Sequence, residues 1–447
     1  MGKSKVGERY SVSIGLVKAG NDSSKELVVY NDASLHAFEF IVPMNGLPAG
    51  RTKIVCDAGV VGNPSSGSYG KLFVDGLLSG GKVMELPIYV NSLVRNNISQ
   101  EVVSLDLEFT LGHEKLQSVM ESIALEGTSV DAVNKLFAAQ EIEIIDDVSP
   151  AKGSTGVSDN MIWRFVAGTL PEHLLNVIVR SSLPGDLLYW VYDDSALTFR
   201  MGTFNVSKAS KHKNFFMYTS DAVTTTNSAT HNVKGTDTNI WYYSGYSPSD
   251  LNGETREARS PNLVIDSTAS GSAKDSGTCS KDCWKAVIGS MGANEQFIES
   301  ETYGPQKMVK PFPANTHKTY AIAPHVRQYM MAEYSKMVTL RIYNHPGPAV
   351  GSCVYFYAAS PKLKNGDFLP DENYTAKYIV LGKKIMKAAT VNTGLLGRER
   401  PANTSDLVTE ITMVSNAGYD GAKSADYKQV TELASAITRA LAKETKK

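Results

Sequence analysis

The sequence predicts a mainly β protein with an α/β insertion: two β-barrel domains, a small α/β domain and a C-terminal helix. Three observations predict it. Period-two alternation fills the first hundred residues, returns between Met337 and Met386, and gives way to one helical apolar stripe from Ala425 to Glu444. At 447 residues the chain exceeds the usual size of one core, so length favours two to four domains. Its 42% hydrophobic and 20% charged residues supply ample material to bury. Forty-five Lys plus Arg against 46 Asp plus Glu leave a formal net charge of −1, which removes a general case for electrostatic capture of nucleic acid or an anionic membrane.

The first strands are Glu26 to Tyr30, His36 to Val42, Lys53 to Cys56, Lys71 to Val74, Lys82 to Val90 and Val102 to Leu111. Turn signals separate them: Asn31-Asp32, Asn45-Gly46, Leu47-Pro48-Ala49-Gly50 and Gly62-Asn63-Pro64. Short strands at this spacing read as a β-barrel or a sandwich. At Gly112 the period changes. Leu116, Val119, Met120, Ile123 and Ala124 recur at three and four, and Val130, Val133, Leu136 and Phe137 repeat the pattern behind an expected N-cap at Ser129. Two short amphipathic helices are expected there.

Ser149 to Ser158, with Pro150, Gly153 and Gly156, reads as a linker. A strand, Met161 to Val166, then leads to a helix opened by Leu170-Pro171-Glu172, with Leu174, Leu175, Val177 and Ile178 expected inward. Asp186 to Tyr192 and Leu197 to Phe204 follow as a hairpin turning at Asp193-Asp194-Ser195. Thr219 to Cys283 is rich in Ser, Thr, Asn, Gly and Asp and reads as long surface loops with embedded strands at Ile240 to Tyr243 and Asn262 to Ile265. Val338, Leu340 and Ile342 then share one strand face, with Val350 to Tyr357 and Lys377 to Ile385 as two more strands. Arg398 to Asp406 and Ala417 to Gly421 read as an extended connection to the last helix, whose stripe is Val430, Leu433, Ala434, Ile437 and Leu441. That stripe is too wide to leave in water, so the helix must dock, on a partner subunit or as a lid on its own barrel.

The expected division is therefore 1–112 as a first β-barrel domain, 113–205 as the α/β insertion and 206–335 as a loop-rich β region. Residues 336–412 form the closing β-barrel region and 413–447 the tail with its amphipathic helix.

Chemistry-bearing patterns fall short one by one. Gly76-Leu77-Leu78-Ser79-Gly80-Gly81-Lys82 resembles a phosphate-binding loop, but Val83 replaces the magnesium-binding hydroxyl and a strand follows where a helix is required, so a glycine-rich hairpin turn is expected. His113-Glu114 lacks a second histidine, Gln117 standing in its place, and reads as a helix-capping pair. Cys279 and Cys283 have no further ligands to complete a zinc site. The acid pairs Asp146-Asp147 and Asp193-Asp194 are expected at turns, and Lys208-Ala209-Ser210-Lys211-His212-Lys213 as a solvated basic turn. No Gly-x-Ser-x-Gly elbow occurs. No catalytic, cofactor-binding or metal-ligating residue is assigned, and no cofactor is expected. The apolar region Leu170 to Tyr192 carries Glu172, His173, Arg180 and Asp186 and is no membrane span. Tyr10 to Lys18 lacks the apolar run of a signal peptide, Val6 stands where a myristoylation signal needs Ser or Thr, and four cysteines are too few for a disulfide scaffold, so cytosolic synthesis is expected.

Without a catalytic constellation, the expected role is assembly. Two segments carry a resemblance. Val338-Thr339-Leu340-Arg341-Ile342, then Val350-Gly351-Ser352-Cys353-Val354, the loop Gly366 to Asp371, and Thr375-Ala376-Lys377-Tyr378-Ile379-Val380 form the first. Phe165-Val166 before a helix, then Tyr189-Trp190-Val191-Tyr192-Asp193-Asp194 and Leu197-Thr198-Phe199-Arg200, form the second. Together, Lys336 to Met386 and Asp159 to Asn205 resemble the baseplate hub protein of contractile-tailed bacteriophages. The resemblance implies two tube-like β-barrels around an α/β insertion, and a non-enzymatic homotrimer whose ring joins tail tube to central spike and lines the ejection channel. It implies the spike, the tube or tube-initiator protein, the tape-measure protein and the baseplate wedge proteins as partners, with DNA passing through without specific binding. The implied location is the tail baseplate of a virion assembled in the host cytoplasm. The alternatives are a capsid or coat protein, a tail-associated cell-wall hydrolase, and a glycan- or receptor-binding virion module resting on the loop Ile240 to Tyr246.

Overall fold

The computed structural model describes residues 10–17, 27–59, 61, 64–76, 82–148, 159–181, 187–194, 196–204, 213–218, 230–232, 238–243, 245–250, 334, 336–343, 345–364, 367–388, 406–415 and 425–444. The first seven strands are β1 (Tyr10–Val17), β2 (Leu27–Tyr30), β3 (Leu35–Pro43), β4 (Ala49–Asp57), β5 (Tyr69–Gly76), β6 (Lys82–Asn97) and β7 (Val102–Leu111). They lie antiparallel in the order β3-β4-β7-β6-β5-β1-β2. Alternation fixes which face is dry: Val12, Ile14 and Leu16 of β1, Leu72 and Val74 of β5, and Met84, Leu86, Ile88 and Val90 of β6 are all buried.

The insertion follows as α1 (Glu114–Gln117), β8 (Val119–Met120), β9 (Ile123–Gly127), α2 (Ser129–Ala139), β10 (Ile144–Asp146), β11 (Met161–Phe165), β12 (Gly168–Thr169), α3 (Leu170–Arg180), β13 (Leu187–Asp193) and β14 (Thr198–Phe204). The strand order β10-β14-β13, with β10 parallel to β14, and the mutual packing of α2 and α3 make it an α/β unit. The first expected helix is only one turn long. Val119, Met120, Ile123 and Ala124 are extended because β8 pairs with β12 and β9 with β11, and tertiary ladders outweigh a helical spacing over so few residues. The second helix starts one residue earlier than expected: Thr128 caps it, exchanging hydrogen bonds with Asp131, while Ser129 is buried inside the first turn. On α3, Leu175 is 54% exposed, and His173 takes the inward place beside the Phe165 ring at 5.0 Å. The expected linker, Ser149 to Ser158, lies outside the described residues.

The remaining strands are β15 (Lys213–Tyr218), β16 (Thr230–Asn232), β17 (Thr238–Tyr243), β18 (Tyr246–Asp250), β19 (Lys336–Tyr343), β20 (Cys353–Tyr357), β21 (Ala359–Lys364), β22 (Asp367–Pro370), β23 (Ala376–Ala388) and β24 (Asp406–Ser415), followed by α4 (Ala425–Glu444). Within the acidic stretch expected as a loop at Gly366 to Asp371, Asp367–Pro370 instead form β22, which pairs with β21 as a hairpin. β24 begins at Asp406, where an extended connection was expected, and runs across the 412/413 boundary. The rest of that connection, 398–405 and Ala417 to Gly421, lies outside the described residues.

β23 joins everything. One of its edges pairs with β24 from Ile379 to Ala388. Its other edge pairs first with β20, up to Ile379, and then with β3, from Gly382 onward. The change of partner falls at Leu381, where the register with β24 skips a residue, a bulge that lets one strand serve two sheets. The first sheet runs β24-β23-β3-β4-β7-β6-β5-β1 and curls until β1 lies against β24. The second runs β17-β15-β20-β23-β24-β19 and curls until β17 lies against β19. Both expected barrels are thus present as curled sheets, and they share β23 and β24.

α4 settles on the outside of the second sheet. Its Val430, Ala434 and Ile437 are buried against Phe215, Ile240 and Tyr355, and Asp426 sits 3.4 Å from Lys377. The helix therefore docks on its own chain, in the lid arrangement.

Candidate functional site

Polar contacts converge on the β23 bulge, where the first sheet, the second sheet and the insertion meet. The turn after β3 supplies Met44, whose N–H bonds the Leu381 carbonyl at 2.9 Å. The next residue, Asn45, holds a positive φ of 57°, a conformation Asn tolerates better than most residues. That bend lets Asn45 grip β13 at both backbone groups of Trp190: the Asn45 N–H donates to its carbonyl at 2.8 Å, and the Trp190 N–H donates to Asn45 Oδ1 at 2.9 Å. Before β20, the Gly351 N–H bonds the Val380 carbonyl at 2.8 Å and the Tyr189 hydroxyl donates to the Gly351 carbonyl at 3.2 Å.

At the centre is a buried ion pair. Lys383 Nζ lies 2.7 Å from Asp194 Oδ2, with the two side chains 1% and 3% exposed, and the ammonium also reaches the Pro348 carbonyl at 3.3 Å. Burial pushes the Asp194 carboxyl up, opposed by the Lys383 charge. Next to it, Arg200 bridges Asp193 at 2.9 Å and Asp147 at 2.8 Å. Burial also raises the phenols of Tyr189 and Tyr192 to about 12. These groups are tied to one another as fastenings, and the arrangement joins parts of the chain.

Outside the junction, the exposed face of the sheet carries charges of alternating sign across five strands. Arg341 of β19 meets Glu410 of β24 at 3.0 Å, Lys384 of β23 meets Glu39 of β3 at 2.7 Å, and Glu39 meets Arg51 of β4 at 3.0 Å. The hydrogen bond from Lys384, with Arg51 in support, holds Glu39 below the usual carboxylate range. A shallow groove of 520 Å³ lies on this face, lined by His36, Glu39, Arg51, Lys53, Asp106 and Lys387 among others.

The residues singled out in the sequence do not gather. Gly76 ends β5 and Lys82 starts the antiparallel β6, the hairpin geometry expected there, with 77–81 outside the described residues. His113 precedes the one-turn helix without a side-chain capping bond, so the expected capping role is not found, and Gln117 donates to Thr110 instead. The acids Asp193-Asp194 stand at the turn after β13 as expected, Asp193 Oδ1 accepting the Ala196 N–H at 3.1 Å, but both are buried and paired with Arg200 and Lys383. In the aromatic stretch Ile240 to Tyr246, Ile240–Tyr243 belong to β17 and Tyr246 opens β18, and Ile240, Trp241 and Tyr243 are buried, which removes the support for a glycan-binding loop. Cys279, Cys283 and all of the basic cluster except Lys213, where β15 starts, lie outside the described residues. Among the described residues no group of three His, Cys, Asp or Glu is arranged to hold a metal ion, and no helix is long and apolar enough to cross a membrane.

Lys383 and His345 went unmarked in the sequence, and Asn45 was marked only as part of a turn. Lys383 had a signal: it shares the buried face of its strand with Ile385, a position where alternation calls for an apolar side chain.

No protein-family model and no curated sequence matches the chain. Several solved structures align with it at low identity. A tail protein from Neisseria meningitidis is 11% identical at a TM-score of 0.49, covering 91% of this chain and 97% of its own. A prophage tail protein from Shewanella oneidensis is 12% identical at 0.47, covering 92% and 97%. An Escherichia coli component of the type VI secretion system, described as similar to T4 bacteriophage tail proteins, is 7% identical at 0.43, covering 91% and 78%.

Proposed function

We propose that the chain is a structural subunit of a contractile tail, a baseplate hub whose homotrimer forms a ring between tail tube and central spike. The observation that carries this reading is the pair of curled sheets that share β23 and β24 within one chain. Three copies of such a unit present six curled sheets around a threefold axis, which lets a threefold partner meet a sixfold one. In this reading 1–112 and 336–412 are the two tube-like domains, 113–205 is the insertion braced against them, 206–335 is the loop-rich region and 413–447 is the tail bearing α4. The partners are a second and third copy, the spike, the tube or its initiator, the tape-measure protein and the wedge proteins. DNA passes through the ring without specific binding, in line with a net charge of −1. The subunit is not an enzyme, needs no cofactor and resides in the virion baseplate after assembly in the host cytoplasm.

Electron microscopy of the purified protein tests this reading, with ring-shaped trimers as the expected result. Closed shells would replace it with a coat protein, and a monomer at micromolar concentration by light scattering would end the ring.

A further inference from the structure

Where the two curled sheets meet, β1 lies against β24 without a ladder between them, because each strand already has both edges paired. Side chains around His345, in the turn between β19 and β20, make a contact there. The imidazole stands edge-on to Tyr10 of β1 at 5.7 Å between centroids and to Trp241 of β17 at 4.5 Å. Its backbone carbonyl accepts the Thr409 hydroxyl of β24 at 2.6 Å, and its Nδ1 accepts the Gly347 N–H at 3.0 Å. One partly buried residue thus fastens β1, β17 and β24.

We propose that this contact is a pH-sensitive fastening: acid loosens β1 from the second curled sheet while the ladders on either side of β4 stay intact. The geometry requires a neutral ring, since Nδ1 must keep a lone pair for Gly347. A proton would also add positive charge beside Lys383 of β23, whose anionic partner Asp194 is already taken; Tyr10 of β1 also faces the ring. Desolvation, with Lys383 in support, pushes the His345 pKa down from 6.5 to about 3. A folded pKa below the unfolded one means that the stability is present above the unfolded value and is lost as pH falls toward the folded one.

Hydrogen exchange of the intact chain between pH 7 and pH 4, corrected for intrinsic rates, tests the fastening. Amides of Tyr10–Val17 should accelerate about tenfold or more relative to those of Ala49–Asp57, the scale that one histidine proton allows per pH unit. His345→Phe keeps a ring without a charge, and His345→Gln keeps an acceptor without one; the differential acceleration should vanish in both. Its persistence in both variants, or an equal acceleration of the two strands in the unsubstituted protein, would overturn the proposal.

Discussion

At the residue scale, the pair Lys383–Asp194 is the most exposed to failure of any contact at the junction. Removing one member of a buried pair strands the other charge, at a cost of about 3–5 kcal/mol, whereas replacing both with apolar groups is often neutral. Lys383→Met should therefore lower the melting temperature sharply, and Asp194→Leu with Lys383→Met should recover most of the loss. The single variant also has a signed pH dependence. Burial already raises the Asp194 carboxyl, and without Lys383 only burial remains. A raised folded pKa gives stability that is present in acid and lost as pH rises through it, so Lys383→Met should melt closer to the unsubstituted protein at pH 4 than at pH 7. Gly351 supplies a second point. It holds φ at +82°, and an added Cβ would lie 2.7 Å from the Tyr189 ring. Gly351→Ala should cost about 1–3 kcal/mol by thermal or denaturant unfolding.

At the element scale, α4 was legible down to its apolar stripe, because twenty residues at a helical period leave little ambiguity. What covers the stripe was not legible. Phe215, Ile240 and Tyr355 come from three strands distant in sequence, and local pattern carries no sign of that convergence. Ile437→Ala should cost about 2–5 kcal/mol, the range for truncating a buried aliphatic side chain. Deleting 422–447 should lower the melting temperature strongly while leaving self-association by light scattering unchanged; the opposite pattern would restore a clasp between subunits. Short elements fared worse. The spacing of Leu116, Val119 and Met120 fits a helix, but only one turn forms, since the strands β9 and β11 must be known together before either can be placed. β24 escaped notice although Leu407, Ile411 and Met413 are buried, because Glu410 and the threonines dilute its apolar pattern.

At the scale of the whole molecule, alternation revealed two β regions and hid their union. Nothing in the residues from Ala376 to Ala388 announces that the strand pairs with β20 in its first half and with β3 in its second. The candidate junction was hidden for the same reason: Asn45, Trp190 and Lys383 have no local relation and meet only once the sheets are joined. Shared strands predict shared stability. Scanning calorimetry should show the two curled sheets melting in one transition, and the fragment 1–112 alone should fail to fold, its β3 edge left without β23. Two separate transitions, or a folded fragment with native-like circular dichroism, would contradict this.

The pairing of β3 with β23 also sets a timetable for synthesis. Phe38 to Pro43 leave the ribosome more than three hundred residues before Gly382 to Lys387, the strand segment they pair with. During translation the first sheet therefore carries an open hydrogen-bonding edge for most of the chain's length, and at elongation rates of about 5–20 residues per second that interval lasts tens of seconds. Production of this protein should thus depend on how well the host shields that waiting edge, and its yield should respond to chaperone supply or slowed growth more than its final stability would suggest.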